Sequence, residues 1–99
     1  MEDLKKLGPR AAVICQLYTN RSLCYFTLEK HENAIADADA VIRDLDPKNA
    51  KAYFRKGLSL AQLGKFGKAI VELQQAVKLE PSNDLFAKEL SALRKSSSN

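Results

Sequence analysis

Apolar residues recur along this chain at spacings of three and four, and no stretch alternates apolar with polar. The pattern therefore predicts helices and no strand. Gly8-Pro9 separates a short charged start from the first helix, and Pro9 can open it because its missing N–H has no intrahelical partner there. From Arg10 to about Leu28, residues Leu17, Tyr18, Leu23, Tyr25, Phe26 and Leu28 spread apolar groups over more than one side of the helix. Glu29-Lys30-His31 reads as a turn. From Glu32 to about Arg43, Ala34, Ile35, Ala38, Val41 and Ile42 form one stripe, with Asp37 and Asp39 outside it. Asp46-Pro47-Lys48-Asn49 ends that helix and offers Asn49 as N-cap of a third, Ala50 to Leu63, which Gly64 closes in the left-handed role. Phe66 to Leu79 is a fourth helix, with Ile70, Leu73, Ala76 and Val77 inward. Beyond Pro81-Ser82, Asn83 to about Arg94 reads as a fifth, and Lys95 to Asn99 as a frayed tail.

The pattern also repeats. Tyr18, Ala34 and Ile35 return 35 residues later as Tyr53, Ala69 and Ile70, whereas Leu45-Asp46-Pro47 returns 34 later as Leu79-Glu80-Pro81. One copy therefore carries an extra residue near Arg43-Asp44. A period of this length marks stacked helical pairs, each burying its apolar stripe against a neighbour and leaving a curved inner surface for ligands. Recognition, and not catalysis, is the expected task.

Composition narrows this little. The 99 residues suit one domain with a modest core, and a formal charge of +4 mildly favours acidic partners. No apolar run approaches the roughly 18 residues that span a bilayer, so no membrane role is expected. Nucleic acid is not an expected partner either, because no basic stripe alternates with aromatics. Cys15 and Cys24 lie on one helix about 13 Å apart, too far for a disulfide, and are expected to be reduced, mostly buried small hydrophobes in a cytoplasmic protein. His31 stands alone and the Asp37, Asp39, Asp44, Asp46 group lacks a metal-loop glycine, so no metal or cofactor is expected. No nucleophile, base and orienting group fall together, which leaves no candidate catalytic residue.

The run Ala50-Lys51-Ala52-Tyr53, Gly57, Leu60, Gly64-Lys65-Phe66, Ala69-Ile70, Ala76, Leu79-Glu80-Pro81 closely resembles the tetratricopeptide repeat, a helix-turn-helix unit of 34 residues. Gly57 and Ala69 would let the two helices of a unit approach, Tyr53, Leu60 and Phe66 would fill the space between them, and Ala76 would admit the next unit. A first unit, about 15–47, keeps Tyr18, Tyr25, Ala34 and Asp46-Pro47. It departs at Ser22, where Gly or Ala is usual, at Glu29, in place of the turn glycine, and at His31, in place of an aromatic ring. The resemblance implies an all-α superhelix. Residues 1–9 form an N-terminal segment and 10–95 the repeat domain, with units at about 15–47 and 50–81 and a solvating helix at about 83–94. Residues 96–99 are tail. Three units are the usual minimum for a stable stack, so the chain is expected to be part of a longer array, with a partner molecule over the first helix as the alternative.

In this family the first helix of each unit lines the concave surface. That assigns Gln16, Asn20, Leu23 and Thr27 from unit one and Lys51, Arg55, Leu58 and Gln62 from unit two. Tyr18-Thr19-Asn20-Arg21-Ser22 and Lys51-Ala52-Tyr53-Phe54-Arg55 resemble stretches of the dicarboxylate clamp, with which co-chaperone repeat domains hold the acidic C-terminal tails of heat-shock chaperones. The resemblance implies carboxylate contacts from Asn20, Lys51 and Arg55 and apolar contacts from Leu23, Phe26 and Leu58, with Gln16 and Gln62 beside them. A further lysine and asparagine, which the family takes from a preceding unit, have no match before Arg10. Arg21 is expected to pair with a carboxylate of the second helix instead. The alternative reading is a scaffold segment that binds another helix or domain without a clamp.

Overall fold

A computed structural model describes residues 9–97. Five α-helices follow one another: α1 (Pro9–Thr27), α2 (His31–Ala40), α3 (Ala50–Gln62), α4 (Phe66–Leu79) and α5 (Asp84–Ser97), with a π-helical turn, Val41–Leu45, continuing α2. No strand occurs among the described residues. Each helix packs against the next, and α1 also touches α3. Two helical pairs, α1/α2 and α3/α4, thus stack side by side with their leading helices adjacent.

Small residues set how closely the pairs pack. A Cβ added at Gly57 would lie 2.9 Å from Leu73 Cγ and 3.2 Å from the Ala69 carbonyl, so α3 and α4 meet at a distance only glycine allows without adjustment. Ser22 holds the equivalent place in unit one. It is fully buried and donates its hydroxyl to the Ala34 carbonyl at 2.8 Å, which explains how a polar residue stands where Gly or Ala is usual. Phe54, Leu60, Leu73 and Ala76 share one core with Phe86, Leu90 and Leu93 of α5, where the Phe54 and Phe86 rings stack with centroids 4.5 Å apart. α5 therefore covers the last apolar face, as a solvating helix must. A smaller core joins Cys15, Ala38, Val41 and Ala52 across the two units.

The extra residue near Arg43-Asp44 takes the form of the π turn. Asp46 N–H bonds to the Val41 carbonyl five residues back, so one residue is looped out of the α register and Pro47 still ends the unit in its proper place. The turn glycine's substitute is equally clear. Glu29 adopts φ +62° and Gly64 φ +78°, the same left-handed step on two different residue types.

Several expectations shift. α1 ends at Thr27, α2 already starts at His31, and α3 ends at Gln62 because Leu63 begins the cap. Asn83 caps α5 by accepting the Phe86 N–H, and α5 runs to Ser97, so Lys95 to Ser97 belong to a helix that packs on α4 and not to a frayed tail. The remaining tail and the segment before Pro9 lie outside the described residues. Cys15 is buried, and burial together with the nearby Asp46 carboxylate pushes its thiol pKa up, whereas Cys24 is exposed. Phe66 is 38% exposed and lies at the rim of the α3/α4 pair, beside Leu58 and Leu73. At the matching place in unit one, His31 sets its ring edge-on to Phe26 at 5.2 Å and so takes the aromatic role.

Candidate functional site

The leading helices α1 and α3, to which the family resemblance assigns the inner face, lie against one another. Residues 51, 55, 58 and 62 share one side of α3, a row roughly 16 Å long, and residues 16, 20, 23 and 27 share one side of α1. Asn49 starts α3 firmly, its side-chain oxygen accepting the Ala52 N–H at 3.0 Å. Gln16 and Lys51 meet at an open hollow of about 630 Å³, lined also by Thr19, Asn49 and the carboxylate residues Asp46 and Glu80. At the far end of the α3 row, Leu58 and Gln62 border a second hollow of about 360 Å³ with Phe66, Leu73 and Leu93. Asn20 and Arg55 follow Gln16 and Lys51 by one turn on their helices and line neither hollow. Leu23 and Asn20 are exposed; Phe26, beside His31, is half-buried.

The cations differ in their surroundings. Lys51 is exposed and Arg55 half-buried, and neither enters an ion pair among the described residues. Arg55 Nε is buried without a hydrogen-bond partner among the described residues, and the guanidinium carbon lies 5.8 Å from the centre of the Phe54 ring. Burial lowers the Arg55 pKa from its ordinary value, yet a guanidinium stays charged at neutral pH. A partly desolvated, unpaired cation is a receptive partner for an anion.

The other charges nearby are committed. Arg21 donates to both Asp37 oxygens, at 2.7 and 2.6 Å, and spreads over the Tyr18 ring at 5.4 Å. The hydrogen bond and attraction to Asp37 raise its pKa. Lys56 bridges Asp39 at 2.8 Å and Glu72 at 3.4 Å. Burial opposes its charge, but the hydrogen bond to Asp39 and the attraction of both carboxylates outweigh that, and its pKa is raised. Asp44 pairs with Arg43, and Asp46 accepts the Lys48 N–H. The aspartate group is thus spent on structural contacts. Counting along the leading helices missed Asp46 and Glu80, which enter the first hollow from the ends of the second helices, and the α5 residue Leu93 in the second.

Residues 50–83 and 16–49 each match the model of the tetratricopeptide repeat. The chain is 42% identical over 77 residues to Protein unc-45 homolog B of Xenopus laevis, covering 78% of this chain and 8% of that protein. It is 37% identical over 68 residues to Sperm-associated antigen 1 of Homo sapiens, covering 69% of this chain and 7% of that one. The chain therefore spans under a tenth of the length of these relatives. In three dimensions it is similar to the first TPR of Spaghetti (RPAP3) bound to the HSP90 peptide SRMEEVD, with TM-score 0.80 and 29% identity over 86% of this chain and 67% of that one. It is also similar to the second TPR domain of human RPAP3 in complex with the HSP70 peptide SGPTIEEVD, with TM-score 0.75 and 32% identity over 81% of this chain and 66% of that one.

Proposed function

The chain belongs to the tetratricopeptide repeat family, a protein-interaction module, and from that premise we propose that its inner face grips the acidic, free C-terminal tails of heat-shock chaperones through a partial dicarboxylate clamp. The observation that carries this reading is the pair Lys51 and Arg55, one turn apart on the inner side of α3, unpaired among the described residues and with the Arg55 Nε lacking a partner. Two like charges at that spacing disfavour a helix slightly unless an anion neutralises them. Asn20, one turn beyond Gln16 on α1, adds an amide donor, and Leu23, Phe26 and Leu58 offer apolar contact. Two structural neighbours were solved with peptides ending in Glu-Glu-Val-Asp, which supports the ligand class. The reading is of a non-enzymatic, cytoplasmic adaptor.

Paired peptides, one with a free and one with an amidated C-terminus, test it. The free acid is expected to bind more tightly, added salt to weaken it, and Lys51→Ala or Arg55→Ala to cost roughly 1–3 kcal/mol. Equal affinity for the two peptides rejects the clamp.

One observation favours a second reading, a scaffold segment that binds without a clamp. Asp46 and Glu80 line the same hollow as Lys51 and would repel an incoming carboxylate. Under that reading the Lys51→Ala/Arg55→Ala double variant keeps its partner.

A further inference from the structure

The row of α3 has a continuation on α5. Asn83 caps α5 as Asn49, 34 residues earlier, caps α3, each side chain accepting the backbone N–H three residues on. At that offset Arg55, Leu58 and Gln62 become Glu89, Ala92 and Ser96. The fold brings the two rows together. Glu89, Ala92 and Ser96 line the open hollow of about 360 Å³ whose other wall holds Leu58 and Gln62. Besides covering the last apolar face, α5 therefore adds a wall to the surface that carries Lys51 and Arg55.

The charge changes sign on that wall. Glu89 is the one charged residue lining the hollow, is half-buried, and enters no ion pair among the described residues. Leu58, Phe66, Leu73 and Leu93 share the lining, and apolar surroundings strengthen an ion pair formed beside them. A carboxylate so placed welcomes a cation and repels a second carboxylate.

A tail gripped at Lys51 has two ways to run. Toward Asp46 and Glu80 its own glutamates would meet two carboxylates, whereas toward Leu58 and Gln62 they pass the unpaired Arg55. Gln62 lies roughly 16 Å from Lys51 along α3, and an extended peptide advances about 3.3 Å per residue. The fifth residue before the terminal one therefore reaches the hollow.

We propose that Glu89 is a specificity-determining residue, selecting those acidic C-terminal tails that carry a basic residue five positions before the terminal aspartate. The proposal rests on the tail-capture reading and adds to it a preference among tails.

Two N-acetylated peptides with free C-termini, ARAEEVD and AAAEEVD, differ only at that position. Each is titrated by calorimetry into the full chain, Glu89→Gln and Glu89→Lys. The arginine peptide is expected to bind the parent about two- to fivefold more tightly, the scale of a partly exposed ion pair. That gain runs against the chain's formal charge of +4, which by itself favours the less basic peptide. Glu89→Gln should abolish the preference and Glu89→Lys should reverse it. Equal affinity of the two peptides for the parent, or a preference that survives in Glu89→Gln, would overturn the proposal and leave tail capture standing. No binding of either peptide by the parent would overturn both.

Discussion

Replacing Glu29 by glycine should make this protein more stable, although the change removes a side chain and adds no contact. The turns that end α1 and α3 have one geometry. Lys30 N–H reaches the Tyr25 carbonyl at 2.8 Å and Lys65 N–H the Leu60 carbonyl at 2.9 Å; Glu29 and Gly64 donate to Phe26 and Ala61, each at 3.0 Å. This is the left-handed cap in which glycine is favoured. A residue bearing a Cβ in that conformation costs about 1–2 kcal/mol. Glu29→Gly removes the strain but loosens the unfolded chain, which offsets about 0.4–1 kcal/mol. The net expectation is a gain of about 0.5–1 kcal/mol, or roughly 2–8 °C in Tm for a domain of this size.

Two companions isolate the cause. Glu29→Ala removes the carboxylate and keeps the strain, and should change stability little, since Glu29 forms no ion pair among the described residues. Gly64→Ala should lose about what Glu29→Gly gains. Nothing lies within 4 Å of a Cβ added at Gly64, so that loss comes from backbone conformation alone. Urea and thermal unfolding followed by circular dichroism measure all three. If Glu29→Gly proves no more stable than Glu29→Ala, backbone strain at the first turn is not what separates the two units.

Three other perturbations follow from the packing. Gly57→Ala should destabilise by about 1–3 kcal/mol in urea titrations, because the new methyl meets Leu73 Cγ and the Ala69 carbonyl. Lys56→Met should flatten the alkaline limb of the stability curve. The folded pKa of Lys56 is raised, so its pairing stabilises fully below the ordinary lysine value near 10.4 and is lost as pH climbs through the folded pKa, a loss the variant cannot show. Deleting Arg43 should leave the fold intact and stability within about 1 kcal/mol, since the π turn can rewind as α-helix, whereas deleting Gln74 from α4 should cost about 3 kcal/mol or more by rotating Ala76 out of the core.

Local signals made most of the fold legible in the sequence. Asn49 and Gly64 mark helix ends through their own backbone chemistry, and α4 spans the range its spacing predicts. The unequal offsets of 35 and 34 revealed an extra residue in unit one, and the structure supplies its form as the π turn at Val41–Leu45. Contacts between helices were less accessible. Ser22 read as a departure until its hydroxyl met the Ala34 carbonyl, a contact that depends on how α1 lies on α2. At the candidate site the row of Lys51, Arg55, Leu58 and Gln62 followed from helical spacing once the family resemblance had assigned the inner face to the leading helices. Asp46 and Glu80 did not, because they come from the ends of other helices.

Asp37 and Asp39 show why the division falls there. Two residues apart on a helix, they point about 200° away from one another, so one faces its own unit and the other the next. Periodicity separates them, but only the stack decides that Asp37 meets Arg21 and Asp39 meets Lys56. Both carboxylates are thereby committed to Arg21 and Lys56, while Lys51 and Arg55 enter no ion pair among the described residues of a chain with 12 acidic residues. Salt should weaken binding at the inner row, because Lys51 and Arg55 enter no ion pair among the described residues and would meet an anion directly. A tail peptide whose affinity falls with added salt, and falls less steeply with the Lys51→Ala/Arg55→Ala variant, is the expected signature, and equal slopes would mean that these two cations do not shape the surface.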